Sequence, residues 1–408
     1  MNLKSKLPPR LRQFVEIDGK FPKLLLLPFA LATIALFILI KPVVTIQIFK
    51  VWERFGHLVG NTDVRRLKTL DHNQSHKKKL ITIYFNPEKR PSNTYMNSLW
   101  RQNLPSVRGH WGWLLNNISL HFIFMNSSNL STNIDFDGLY EKNYPLPKFS
   151  DEDNLAGQNF IDKFCPSGKF VCLNARDAAY LLSRSGKDWS YHNYRDSDIS
   201  TYVAAAEALA EMGYTVFRMG ALVKNPLVSK HPRVIDYATN GMRTEFLDIF
   251  LGAHCTFCIS TGSGWDSVPN IFRRRIMYVN YLPIFETSAT ALPFTIYPKL
   301  LRDPKLLKPL TLIDLIEKNL ATPHSTAAYA NAEVEIRDLS SEELVEAVTE
   351  MAQRVEGTFI ETQEQKEMQA KLKHILSTHP KLQPTPNYYP IRAEFASCFL
   401  SRYPNFLD

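Results

Sequence analysis

The sequence predicts an α/β protein whose main part is a parallel sheet with helices on both faces. Three observations predict it. Short apolar runs alternate with segments of helical spacing from Phe170 to Asn280, a rhythm that parallel sheets require. Helix signals stand at the seams, with Ser200 before an alanine-rich run and Gly213 after it. At 408 residues, 45% hydrophobic and 22% charged, the chain can bury one or two full cores. Wholesale disorder, a collagen-like repeat and a polytopic membrane protein are excluded by the same figures.

Leu24 to Ile40 runs without a charge between Lys23 and Lys41, and apolar character resumes at Val43 and Val44. A bilayer crossing takes about 20 residues. The run lacks a cleavage site of small residues, so it reads as an uncleaved membrane anchor with Pro28 bending one end. A buried core helix and a shallow interfacial helix are the alternatives. Lys4, Lys6, Arg10, Arg12, Lys20 and Lys23 precede it and Lys50, Arg54, Arg65, Arg66 and Lys68 follow. Positive charge on both sides leaves orientation open, monotopic attachment included.

A basic linker, Ser75 to Lys79, leads to the strand Leu80 to Phe85. The stretch from there to Lys163 mixes Asn, Ser and aromatics with short apolar runs such as Leu120 to Met125, and suits a small α/β domain. The regular half follows, with strands expected at Phe170–Leu173, Tyr214–Arg218, Val234–Tyr237, Thr256–Ser260 and Ile276–Asn280. Helices are expected over 200–212 and 244–253, and after Gly264. Ser340 and Glu343 form a capping box ahead of an amphipathic helix carrying Leu344, Val348, Met351 and Val355 on one stripe. More helix is expected over 361–376, then a proline-rich excursion from Pro380 to Pro390.

Ligands of such sheets bind at the carboxyl ends of the strands. Ser260-Thr261-Gly262-Ser263-Gly264 stands at one of those ends, where amides, hydroxyls and glycines suit an anion such as a diphosphate, or form a tight turn with no ligand. It is not a Walker loop, and Ser267 stands where a dinucleotide fingerprint needs its third glycine. Ser263 lacks the flanking glycines of a hydrolase elbow. Arg176, Arg195 and Arg218 fall near the same edge, and three arginines there favour an anion that joins them, or each pairs with a neighbouring aspartate.

Forty-eight basic against 40 acidic residues leave a net charge of +8, which fits an anionic substrate, a membrane surface or nucleic acid. Without an aromatic-basic interleaved motif, nucleic acid is set aside as a partner. Five cysteines make no disulfide framework and favour a reducing compartment. Cys255-Thr-Phe-Cys258 lies in a buried strand and reads as core rather than zinc or redox chemistry. His192, His231 and His254 stand isolated. Arg273-Arg274-Arg275 suits a helix C-terminus. Asp135-Phe-Asp137 and Asp196-Ser-Asp198 have the form of metal-binding DxD pairs, and Asn73, Asn117, Asn126 and Asn129 head glycosylation triplets that arise often by chance.

In order, Asn174-Ala-Arg-Asp177, Tyr194-Arg-Asp-Ser-Asp198, Phe217-Arg-Met-Gly220, Asp236-Tyr237, Phe246-Leu-Asp-Ile249, Ser260 to Gly264 and Val268-Pro269 resemble a family of bacterial glycosyltransferases of surface-polysaccharide biosynthesis. Its relatives include fucosyltransferase-like and heptosyltransferase-like enzymes. The resemblance covers Gly168 to Asp303, with a weaker echo from Ser340, and excludes residues before Leu80. It implies a GT-B type fold of two Rossmann-like domains, here with an N-terminal membrane-anchoring helix. The expected organisation is anchor and basic linker over 1–75, an acceptor-side domain over 80–165, a nucleotide-sugar-binding domain over 168–335 and helices packing back over 338–408.

The implied reaction moves a sugar from a nucleotide-activated donor to a glycan or lipid-linked acceptor at the cytoplasmic face of a membrane, with no resident cofactor and no metal. Arg176, Asp177, Arg195 and Asp198 are then the catalytic candidates. Arg218, Ser260, Thr261, Gly262, Ser263 and Gly264 would hold the diphosphate, with Asn174, Asp196, Gly220, Asp236 and Glu245 completing the pocket. Fixed donors and arginines can stabilise a departing diphosphate, and one of Asp177, Asp196, Asp198 and Glu245 would take the acceptor proton. A non-catalytic, membrane-tethered phosphate-binding module and a DxD metal-dependent GT-A type transferase are the competing readings.

Overall fold

The computed structural model describes residues 26–51, 54–86, 91–120, 122, 135, 137–183, 188–287, 294–305, 308–382 and 393–408. The chain forms two compact units, Met1–Asn133 and Ile134–Asp408. Asn126, Asn129, the basic residues before Leu26 and most of the proline-rich excursion lie outside the described residues.

In the first unit β1 (Val44–Lys50), β2 (Lys79–Phe85) and β3 (Ser106–Val107) form a parallel sheet in that order. Its helices are α1 (Leu27–Ile40), α2 (Thr62–Ser75), α3 (Thr94–Asn103) and α4 (Gly109–Ser119). Ala30, Ile34 and Phe37 of α1 bury against Ile46 and Ile48 of β1 and Leu114, Leu115 and Ile118 of α4. Threonine and tyrosine on the opposite face of β2 meet α2, where Thr69 and Thr82 hydroxyls lie 2.7 Å apart. Asn73 clamps the next turn, its amide receiving Leu80 N at 2.7 Å and donating to Leu80 O at 2.9 Å.

The expected membrane-spanning anchor finds no support here. Helix α1 has 14 residues, about 21 Å of rise against a hydrocarbon core of about 30 Å. Among the described residues no helix is long and apolar enough to cross a membrane. An apolar run without charges carries the same signature whether one stripe meets a protein core or the whole surface meets lipid, and here one stripe meets the core.

The second unit opens with α5 (Asp151–Phe164), capped by Ser150, and then builds a seven-stranded parallel sheet. The strands are β4 (Phe170–Asn174), β5 (Thr215–Arg218), β6 (Val234–Ile235), β7 (Phe257–Ser260), β8 (Arg275–Tyr281), β9 (Thr295–Pro298) and β10 (Glu394–Phe395). From edge to edge they run β10-β9-β8-β7-β4-β5-β6. Every residue of β4, β5 and β7 is buried, as strands covered on both faces must be. Helices α6 (Val203–Glu211), α7 (Glu245–His254) and α8 (Ser267–Ile271) make the crossovers, and α9 (Ser341–Glu356) packs on α6 before α10 (Gln363–Thr378).

The expected strand and helix positions in this half agree with the structure to within a few residues. One local reading changes and another gains detail. Asp198, not Ser200, caps the turn ahead of α6, accepting from Ser200 N at 3.0 Å. The arginine run divides its work, with Arg273 Nη1 donating to Ile271 O at 2.7 Å and Arg274 Nε to Ala253 O at 2.6 Å, each closing a helix C-terminus. Asn280 adopts a left-handed φ of 51° and its amide joins Tyr202 OH at 2.9 Å to Leu339 N at 2.7 Å, fastening α6 and the entry of α9 to the end of β8.

The capping box of α9 is present and its carboxylate, Glu343, is 1% exposed. Burial alone would raise its pKa, but Arg337, Tyr403 and Ser340 N outweigh burial and hold it at about 2, against an ordinary 4.5. With the folded value depressed, the stabilisation is complete above the ordinary value and is lost as pH falls towards about 2. Urea midpoints followed down to pH of about 2 should therefore fall less steeply in Glu343→Gln, whose stability at neutral pH is already reduced.

Candidate functional site

The chain leaves β4 towards β5 and β6 on one side and leaves β7 towards β8 and β9 on the other. This reversal opens a crevice at the carboxyl ends of β4 and β7, the place where doubly wound sheets bind ligands. Asn174 ends β4 and Ser260 ends β7, directly opposite each other in register. Asn174 Nδ2 donates to Ser263 Oγ at 2.6 Å, and Arg176 N to Thr261 Oγ1 at 2.9 Å. Gly262 has a φ of +82°, and a Cβ there would lie 2.7 Å from the Tyr281 ring, so only glycine fits the bend.

A carboxylate of the chain already occupies the bend. Asp266 receives the Ser260 hydroxyl, Ser263 N at 2.6 Å and Asn174 Nδ2 at 3.4 Å. Burial pushes its pKa up to about 6, with those three donors pulling the other way. Gly262 N donates to Ser260 Oγ at 3.2 Å and Trp265 N to Ser263 Oγ at 3.1 Å. Ser260 and Thr261 are fully buried. The bend expected to cradle a diphosphate on its amides thus has the Gly262, Ser263 and Trp265 amides committed, with Gly264 its exposed residue.

Basic side chains converge beside it. Arg176 Nη1 pairs with the Asp196 carboxylate and donates to His192 O at 3.0 Å. Arg195 Nη2 reaches Gly262 O at 2.7 Å. Lys299, between β9 and the short strand Leu300–Asp303, donates to Asp196 O at 2.6 Å and pairs with Asp338 at 2.8 Å. Burial lowers the pKa of Arg176, opposed by Asp196, and that of Lys299, opposed first by Asp338 and then by Asp196; burial raises that of Asp196, opposed by Arg176 and Lys299. Lys299 escaped the sequence reading because a lone lysine between two apolar strands carries no motif.

Other expected site residues have different work. Arg218 is fully buried and pairs with Asp236 at 3.3 Å and Asp177 at 4.0 Å, with Nη2 also donating to Asn225 O at 3.2 Å. Asp177 accepts from Ala179 N and Lys224 N, both at 2.8 Å, and Asp236 from Leu227 N at 3.0 Å. These three lie together on the β5 side, with Arg218 Nε buried and without a partner among the described residues. Asp198 is a cap. Gly220 turns the chain after β5 with a φ of +153°, and Glu245 opens α7.

Asp135 receives Tyr140 N at 2.7 Å in a turn, and among the described residues no group of three or more His, Cys, Asp or Glu could hold a metal ion. Cys172, Cys255 and Cys258 are buried in the core. His254 is half-buried against Phe250, whose carbonyl it contacts at 2.9 Å.

The second unit therefore defines a doubly wound α/β protein with a cationic carboxyl edge. No family model and no curated protein matches the chain. Among solved structures, a family 9 glycosyl transferase from Veillonella parvula is 11% identical over 74% of this chain and 96% of its own, with a TM-score of 0.40. The ADP-heptose heptosyltransferase II of E. coli is 11% identical over 57% of this chain and 83% of its own, at 0.31. An E. coli heptosyltransferase bound to ADP is 10% identical over 58% and 87%, at 0.28. Similarity at these scores carries no weight for the fold or activity of this chain.

Two outcomes follow from the site. Arg218→Met strands two partly buried carboxylates and should cost about 3 kcal/mol in urea unfolding. The raised pKa of Asp266, about 6 against an ordinary 3.8, means that the folded chain holds the proton more tightly. Stability should therefore decline as pH rises through that window, and Asp266→Asn should remove this part of the slope.

Proposed function

We propose that the second unit binds a nucleotide-activated sugar at the carboxyl edge between β4 and β7 and transfers the sugar to a glycan or lipid-linked acceptor. One observation carries the reading: three cations converge on that edge, Arg176 on the Asp196 carboxylate, Lys299 on the Asp196 backbone carbonyl and Asp338, and Arg195 on the Gly262 carbonyl. The resemblance of the segments 174–177, 194–198 and 260–264 to bacterial polysaccharide glycosyltransferases supports the choice of donor.

Glycosyl transfer breaks the bond between the anomeric carbon and the diphosphate oxygen, so negative charge grows on the leaving group. Guanidinium groups fixed before the reaction can take up that charge without reorganising. Arg176 would exchange its Asp196 partner for a phosphate oxygen, a bidentate geometry to which arginine is suited. Asp196, released from the pair and raised in pKa by burial, then becomes the strongest candidate to accept the proton of the acceptor hydroxyl. The reaction as proposed uses no metal. A soluble donor and a lipid-linked acceptor would meet at the cytoplasmic face of a membrane.

Calorimetric titration of GDP, UDP, ADP and a CMP control into the full chain, with and without chelator, tests the proposal. One nucleoside diphosphate should bind in either buffer. Loss of a charge-assisted contact in Arg176→Ala or Arg195→Ala should weaken it about tenfold or more. Absence of binding by all four, or equal binding by both variants, rejects the donor site. Binding without transfer or donor hydrolysis would favour the non-catalytic phosphate-binding module, and binding lost in chelator the metal-dependent transferase.

A further inference from the structure

The first unit encloses a positive charge that its own described residues leave unbalanced. Residues 62–67, the opening turns of α2, are buried around the whole helix circumference. Thr62, Arg65, Arg66 and Thr69 form one stripe by their spacing, and Thr69 meets Thr82 on β2. Asp63, fully buried, accepts from Arg66 Nε at 2.7 Å, and these two charges offset each other. Arg65 is 6% exposed, and its Nε and Nη2 have no hydrogen-bond partner among the described residues.

Thr62 Oγ1 is also buried without a partner among the described residues, one helical turn from Arg65. Tyr84, which follows Thr82 on the same strand face, is close enough for both arginines to act on its hydroxyl. Burial raises the pKa of that hydroxyl well beyond the ordinary tyrosine value, so it stays protonated and can donate. A second feature marks the same place. The five residues His57–Asn61 immediately before α2 form a wide π-type turn, anchored where Trp100 Nε1 donates to Leu58 O at 2.8 Å. Such turns cluster at functional positions because they widen the helix and redirect its side chains.

Removing a guanidinium from water without a countercharge is costly, whereas a bound anion with two oxygens satisfies its fork. We propose that Arg65, with the Thr62 and Tyr84 hydroxyls as neighbouring donors, binds an oxyanion group, phosphate or carboxylate, within the first unit. Arginine rather than lysine suits this role because its planar donors match both oxygens of such a group. The inference goes beyond the donor site and does not depend on it.

The test uses the full chain carrying Arg176→Ala and Arg195→Ala, so that the donor edge is silenced, and titrates inorganic phosphate, pyrophosphate and acetate. At least one should raise the melting temperature and slow hydrogen exchange over residues 57–75 and 79–85. Arg65→Gln should weaken the effect about thirtyfold or more, and Arg65→Lys should retain part of it. A response to phosphates but not acetate identifies a phosphorylated ligand, and a response to all three an oxyanion in general. Should Arg65→Gln fail to fold, hydrogen exchange in the parent chain still decides. No change in those two segments with any anion, or equal binding by a folded Arg65→Gln, overturns the proposal, as does a more stable Arg65→Met with the anion response intact.

Discussion

The Asp266 carboxylate, buried beneath the bend that follows β7, is the contact on which the second unit's edge depends. It takes the Ser260 hydroxyl, the Ser263 amide and the Asn174 side chain together. Asn174 belongs to the neighbouring strand, so one acid fastens the two strand ends between which the sheet reverses its order. The orientation of the Gly262 carbonyl follows from the same closure, and that carbonyl receives Arg195. Without the acid, the bend would have loose amides and no fixed carbonyl to hold the arginine.

Electrostatics then sort the edge into two groups. On the β5 side Arg218 lies between Asp177 and Asp236, which are themselves held by the surrounding backbone, while its Nε keeps no partner among the described residues. On the switch-point side Arg176, Arg195 and Lys299 share Asp196, a carbonyl and the half-exposed Asp338. A group in which cations outnumber the carboxylates between them can trade partners. That difference in charge balance, more than proximity, separates the residues suited to chemistry from those suited to architecture.

Much of the second unit was legible in the sequence because its signals are local. The alternation of FVCL, YTVFR, TFCIS and IMYVN with helical runs names the parallel sheet, and Ser340 with Glu343 names the start of α9. Partners were far less legible. Whether Arg218 faces a ligand or an aspartate depends on contacts between residues that are distant along the chain, and Lys299 has no local mark at all. The bend at 260–264 shows the same limit, since glycine and serine there fit an anion-binding turn and a self-capped one equally. In the first unit α1 was read as an anchor because composition reports apolarity without saying what covers it. Strand β1 was missed because its seven residues follow directly on that run.

Gly262 has a consequence of its own for how this edge can change over generations. With the Tyr281 ring at 2.7 Å from any added carbon and Arg195 Nη2 at 3.3 Å, replacement there is screened by shape before charge or reactivity is at issue. Neighbouring positions can drift and retune the crevice for a different ligand. The pivot itself cannot, so variants of this architecture that diversify in specificity should do so around an unaltered hinge of one residue.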